Sequence, residues 1–144
     1  MLLKKLPLYA LTTLGLFILL NSLGHSEENH MKYLGNSEST ELPSMEIDGV
    51  NAFIKDIVFS NDPDSPITCG LFRMEKGKEL QFTFDYDEAS IILEGEMTMA
   101  EKGGETITLK SGDVIYLEEG ADITYASESS ALVFYCGQRG GEEL

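Results

Sequence analysis

The sequence has no tryptophan, two cysteines and two histidines, and both histidines, His25 and His30, precede the stretch that reads as folded. Zinc and iron centres are built from several His, Cys or carboxylate side chains converging on one point. With no histidine after residue 30, neither a histidine-held metal nor any other cofactor is expected. Cys69 and Cys136 show neither the CxxC spacing of redox motifs nor that of zinc ribbons. GxGxxG, flavin and P-loop motifs are missing, so there is no visible seat for a redox nucleotide or a phosphate chain. No N-x-S/T sequon occurs, so glycosylation gives no support to secretion. Positive charge is scarce: 10 Lys and Arg stand against 25 Asp and Glu, a formal net charge of −15. Such a field repels phosphate, which excludes nucleic acid and anionic membrane surfaces as expected partners.

What is there suits one globular domain. A chain of 144 residues that is 42% hydrophobic can bury a real core but is too short for two domains. Residues 1–24 hold Lys4 and Lys5, an apolar run from Leu6 to Leu20, and small residues at Ser22 and Gly24. That is the pattern of a secretory signal peptide. The run is short for a membrane span, which needs roughly 20 apolar residues, so a retained anchor comes second. A start of translation at Met31, where the polar composition begins, is the alternative, and it makes the protein cytoplasmic. A membrane is a partner only if the leader is retained.

Residues 25–50 read as a polar arm, 51–140 as the folded domain and 141–144 as an acidic tail. From Asn51 on, apolar runs of five to nine residues recur, each closed by a turn signal. Nine are expected as strands, with ASIILEG and EMTMAE counted separately. TITLK alternates, with Ile107 and Leu109 on one face, whereas VIYL is apolar on both. No sustained helical period follows Ser60. Strands this short and this dense make an all-β sandwich or small barrel.

The glycine spacing narrows the choice. Glu88 and Gly95 stand seven apart, and Gly112 and Gly120 punctuate SGDVIYLEEGADITY. This frame resembles the two motifs of the cupins, small jelly-roll barrels. The positions that carry histidines in the first cupin motif fall on Phe82 and Phe84, or on Gln81 and Thr83. In the second motif Glu118 stands at the proline and Ile123 at the histidine. Tyr86-Asp87-Glu88, Leu93 to Glu96 and Gly112 to Leu117 are similar to the YDE, LEGE and GDVIYL of EutQ-like cupins, the ethanolamine-utilisation Q type. DPDSPITCG and FYCGQR resemble the eukaryotic, chiefly fungal, branch of that group. The resemblance implies a single jelly-roll barrel. It further implies a tailoring oxidoreductase of polyketide secondary-metabolite biosynthesis or, from bacterial relatives, acetate kinase activity. In jelly-roll order the strands of Cys69 and Cys136 run side by side, so a disulfide is geometrically open, but two buried free thiols are the expectation.

Glu88 is the first candidate for catalysis. In a cupin this position points into the barrel mouth, and among Phe82, Phe84, Ile92 and Ile123 a carboxyl loses water and its pKa rises toward neutrality. Strand alternation puts Tyr86 on its face, as a polar anchor, and Asp87 on the other; Asp87 is carried as a catalytic candidate or as a turn residue. Tyr116 and Tyr125 are candidates to line a substrate pocket with Phe82, Phe84 and Ile123, and Tyr135 is weighed with them. Arg73, if inward, selects an anionic or carbonyl-bearing ligand. Asp113 is expected to cap a turn, and Met97 and Met99 to fill core. Two classes of function remain: a metal-independent enzyme of proton-transfer type on a small organic molecule, or a small-molecule-binding scaffold. A homodimer is expected, through the arm at 31–50 and the AFIKDIVF segment.

Overall fold

A computed structural model describes residues 30–60 and 62–141. The leader and residues 142–144 of the expected acidic tail lie outside the described residues. Within the unit that runs from Asn36 on, the order is a 3-10 turn (Ser37–Ser39), then β1 (Ala52–Phe59), β2 (Thr68–Glu75), β3 (Leu80–Thr83), β4 (Glu88–Glu101), β5 (Thr106–Lys110), β6 (Val114–Leu117), β7 (Asp122–Ala126) and β8 (Ser130–Gly137). All pairings are antiparallel. The sheet curls into the jelly-roll barrel of a cupin, in the order β1-β2-β8-β4-β7-β3, with β5 and β6 also paired to β4.

Eight strands are seen among the described residues where nine are expected, because ASIILEG and EMTMAE are one strand. Its first half, Glu88 to Gly95, pairs with β8 and β6; its second half, Glu96 to Glu101, pairs with β5 and β7. A register shift between Ile92 and Glu94 and a positive φ of 74° at Gly95 bend the chain between the two halves without ending the strand. A Cβ at residue 95 would collide with the Ser130 carbonyl, so only glycine makes this bend.

The core lies between the two halves of the curled sheet. Met74, Ile92 and Met97 are fully buried there, and Met99 nearly so. Across the β2–β8 register, Gly70, Phe72 and Met74 alternate inward, and so do Ala131, Val133 and Tyr135. The end of the expected arm belongs to the barrel: Met45 N–H donates to the Ala52 carbonyl at 2.9 Å, and Ile54 N–H to that of Pro43 at 3.1 Å. Residues 43–45 therefore extend the edge of β1 within their own chain. Asp113 accepts the Lys110 N–H at 2.8 Å and closes the β5–β6 turn.

Cys69 and Cys136 stand opposite each other in the β2–β8 register and are joined as a disulfide, both half-buried on the outward face. This overturns the expectation of buried free thiols. Antiparallel pairing puts the two Cα atoms of one cross-strand pair close enough for a bridge, and sequence alone did not fix that register. The bridge closes a loop with a sequence separation of 67. Replacing both cysteines by serine should lower unfolding free energy by about 2–4 kcal/mol, read from denaturant titration of non-reduced protein. A transition midpoint equal to that of the parent would show that no bridge forms.

Candidate functional site

Glu88 opens β4, at the end of the barrel where the β3–β4 bend, β8 and the segment after β8 meet. Its side chain is half-buried and lines a cavity of about 80 Å³. The walls are almost wholly apolar: Phe72, Phe82, Phe84, Ile92, Met97, Met99 and Ile115, with Tyr86, Tyr125 and Tyr135. The Phe82 and Phe84 rings meet edge to face at 4.8 Å, and Phe84 and Tyr86 at 5.5 Å. Alternate residues share a side of the chain here, so three rings in succession reach the same space.

Burial drives the ionisation of Glu88. Loss of water pushes its pKa from 4.5 up to about 7; the Arg139 guanidinium opposes the rise and Asp56 adds to it. The two neighbouring phenols are affected in the same sense. Burial raises Tyr86, with Glu88 adding and Arg139 opposing, and burial raises Tyr125 further. Both stay neutral hydroxyls at any cellular pH.

A buried ion pair stands beside Glu88. Arg139 donates to Asp56 through two bonds, Nη2 to Oδ1 at 2.7 Å and Nη1 to Oδ2 at 3.0 Å, and the Asp56 side chain is 3% exposed. The Tyr135 hydroxyl donates to Asp56 Oδ1 at 2.6 Å. The Arg139 guanidinium also lies 5.5 Å from the centre of the Tyr86 ring. That ring packs on Gly137, where a Cβ would stand 2.7 Å from a ring carbon. Burial lowers the pKa of Arg139, but the Asp56 carboxylate outweighs it and the net direction is up. Breaking such a pair leaves an uncompensated buried charge, and that penalty exceeds the net stabilisation the pair provides. Outside the cavity the site opens into a basin of about 750 Å³ bordered by Pro43, Glu46, Asp56, Asp85 and Arg139, with Met45, Ile54, Phe82 and Tyr86 shared between basin and cavity.

Of the candidates named from sequence, the structure brings together Glu88, Tyr86, Phe82, Phe84 and Tyr125. Four others lie elsewhere. Asp87 accepts from the Glu119 N–H at 2.8 Å and from the Tyr116 hydroxyl at 2.9 Å, on the outside of the barrel. These bonds, the backbone one first, hold its carboxyl below the usual range, so it is a tie between the β3–β4 bend and the turn after β6. Tyr116 is 60% exposed, because Ile115 and Leu117 take the inward positions of β6. Arg73 alternates with the inward Phe72 and Met74 and so takes the outer face. Ile123 is buried but does not border the cavity; it pairs with Phe82 across β3 and β7.

Asp56, Arg139 and Met45 were not foreseen. A signal for Asp56 existed: it is the one acid in AFIKDIVF, in phase with the inward Ala52 and Ile54, and a charge in that position requires a partner. The chain offers two arginines, and Arg139 is the one beyond Arg73.

Cupins commonly hold a metal, and the donors here do not fit one. The cavity offers one carboxylate, three phenols and the Ser90 hydroxyl, and among the described residues no group of three or more His, Cys, Asp or Glu converges.

An antiparallel jelly roll with an inward glutamate at its mouth, at the start of its longest strand, has the architecture of a cupin. Residues 61–132, half of the chain, match the EutQ-like cupin domain, and the chain belongs to that family. It is 30% identical over 76 residues to acetate kinase EutQ of Escherichia coli, a match that covers 53% of this chain and 32% of that protein. The chain thus spans about a third of the length of that curated relative. An ethanolamine utilization protein Q from Salmonella typhimurium superposes with a TM-score of 0.62 at 25% identity, over 74% of this chain and 85% of that one. Ectoine synthase from P. lautus shares the fold at 16% identity, with a TM-score of 0.58 over 75% and 76%.

Glu88 ties stability to pH. Its folded pKa is about 7 against 4.5 unfolded, so between these values the folded state binds more protons and stability falls as pH rises. The loss is complete above pH 7 and amounts to roughly 3 kcal/mol. Glu88→Gln removes this dependence. The variant should gain on the parent by roughly 2–3 kcal/mol between pH 5 and pH 8, measured by denaturant unfolding at both. A difference that does not change with pH would mean that the carboxyl is solvated.

Proposed function

We propose that this chain is a small-molecule enzyme in which Glu88 acts as general acid or base, with no histidine-held metal. The observation that carries the reading is a lone carboxyl, drawn up to about 7, in the wall of a mostly apolar cavity. A group that titrates near cellular pH is present in both forms, so it both gives and takes a proton at useful rates. A substrate enters from the basin, and its reacting atom sits in the small cavity. Tyr86, at the boundary of the two, donates a hydrogen bond to a substrate oxygen. The cavity wall excludes water, and the Asp56–Arg139 pair keeps the mouth in one arrangement. Isomerisation, dehydration and cyclisation need no more than this. An oxidoreductase role in tailoring a polyketide or other secondary metabolite needs a redox partner, and its support is the family resemblance alone.

A non-catalytic binding cupin is the second class, since a fold does not imply its function. Phosphoryl transfer, named for the Escherichia coli relative, has less in its favour. Among the described residues, the one cation bordering cavity or basin, Arg139, is held by Asp56 rather than offered to a phosphate.

Metabolite profiling tests the proposal whatever the substrate is. A strain whose gene carries Glu88→Gln should accumulate the same compound as a deletion strain, with turnover of that compound down about 10²-fold in purified variant. A Glu88→Gln strain whose profile matches the parent, with the deletion strain differing, would remove Glu88 from the chemistry.

A further inference from the structure

We infer that the cavity beside Glu88 receives a small alkylammonium head group, with the Glu88 carboxylate as its counter-ion. This names a substrate class for the site and rests on the acid–base reading only in treating the bound cation as the substrate.

Size comes first. At about 80 Å³ the cavity is far below the roughly 300–1,000 Å³ of sites that engulf a drug-sized ligand, so it takes one compact group of a few heavy atoms. Shape comes second. Six aromatic rings border this space, from Phe72, Phe82, Phe84, Tyr86, Tyr125 and Tyr135. Neighbouring rings are crossed and not parallel, 80° between Phe82 and Phe84 and 76° between Phe84 and Tyr86. Crossed rings make a box rather than a slot. A flat ligand stacks in a slot; a tetrahedral one fits a box.

Charge decides the rest. An aromatic face attracts a cation through its quadrupole, most strongly where water is excluded. The cavity wall holds one group that ionises in the cellular range, and it is acidic. The basin through which a ligand passes is bordered by Glu46, Asp56 and Asp85 against Arg139 alone. Arg139 gives two hydrogen bonds to Asp56, so its charge is balanced within the protein. An anion would enter against this field, and a neutral molecule would draw nothing from it. Among the described residues the Glu88 carboxyl makes no hydrogen bond, and an ammonium group supplies the partner it lacks. Asp56 on β1 and Arg139 beyond β8 act on Glu88, and Glu88 in turn acts on Tyr86 in the β3–β4 bend, Tyr125 on β7 and Tyr135 on β8. Arg139 is the one cation among them.

Tetramethylammonium and tert-butanol are of nearly equal size and differ in charge, which makes them the probes. At pH 8.5 and fixed ionic strength, calorimetric titration of the purified protein should give tetramethylammonium about tenfold the affinity of tert-butanol. In Glu88→Gln that preference should fall several-fold, to the part the rings alone supply. Equal affinities in the parent, or a preference undiminished in Glu88→Gln, would overturn the inference. A second readout needs no variant. Saturating tetramethylammonium should lower the midpoint of the Glu88 carboxyl, followed by ¹³C NMR, by about one pH unit, because the cation binds the carboxylate more tightly than the neutral acid. A free-protein midpoint near 7 that does not move would sink the cation assignment alone. A free-protein midpoint in the ordinary carboxylate range would sink the acid–base reading with it.

Discussion

The removal of one carboxyl group from water governs this molecule's chemistry. A charged carboxylate in an apolar pocket is strongly disfavoured, and a protein answers by pairing the charge or by keeping the proton. Both solutions occur here within one cluster. Asp56 takes the first, with two bonds from Arg139 and one from Tyr135. Glu88 takes the second, since Phe82, Phe84 and Ile92 offer it nothing to bond. Two acids in one barrel end are thereby treated differently, one held by an arginine and a tyrosine and the other drawn up to about 7. Such divergence is how a fold obtains a proton donor and a fixed charge from the same residue type.

The ion pair decides what Glu88 experiences. Arg139 alone would pull the glutamate proton off; Asp56 alone would hold it on more tightly. The two act in opposite directions, and burial is the largest influence. The pair also fixes geometry. Arg139 lies against the Tyr86 ring, which packs on Gly137, so the last residues of the barrel and the β3–β4 bend are locked to each other at the mouth. The opening is thus preformed rather than a loop that must be ordered first.

Much of the architecture is legible from residue order. Turn glycines at 112 and 120 have the positive φ their positions imply, and the apolar runs between them are strands. What failed was phase and partnership. VIYL is apolar on both faces, so nothing local said that Ile115 rather than Tyr116 would face inward; the pairing of β6 with β4 settles it. Arg73 lies among Cys69, Leu71 and Phe72, again apolar on both sides, and its outward phase follows from Gly70 and Met74 packing inward. Asp87 takes the face opposite Tyr86 and Glu88, as alternation implies, but its partners there, Glu119 and Tyr116, are distant in sequence. The Asp56–Arg139 contact joins residues 83 apart, and periodicity is blind to contacts of that range. ASIILEG and EMTMAE read as two strands because a glycine commonly ends a run; here it bends one.

That bend has a mechanical result. β4 is bonded to β8, β6, β5 and β7, so it belongs to both halves of the barrel at once. Opening of either half disturbs pairings made to the same strand, so the two halves are coupled through β4. The amides in the middle of that strand should be among the last to exchange with solvent, and Glu88 is anchored at its first position.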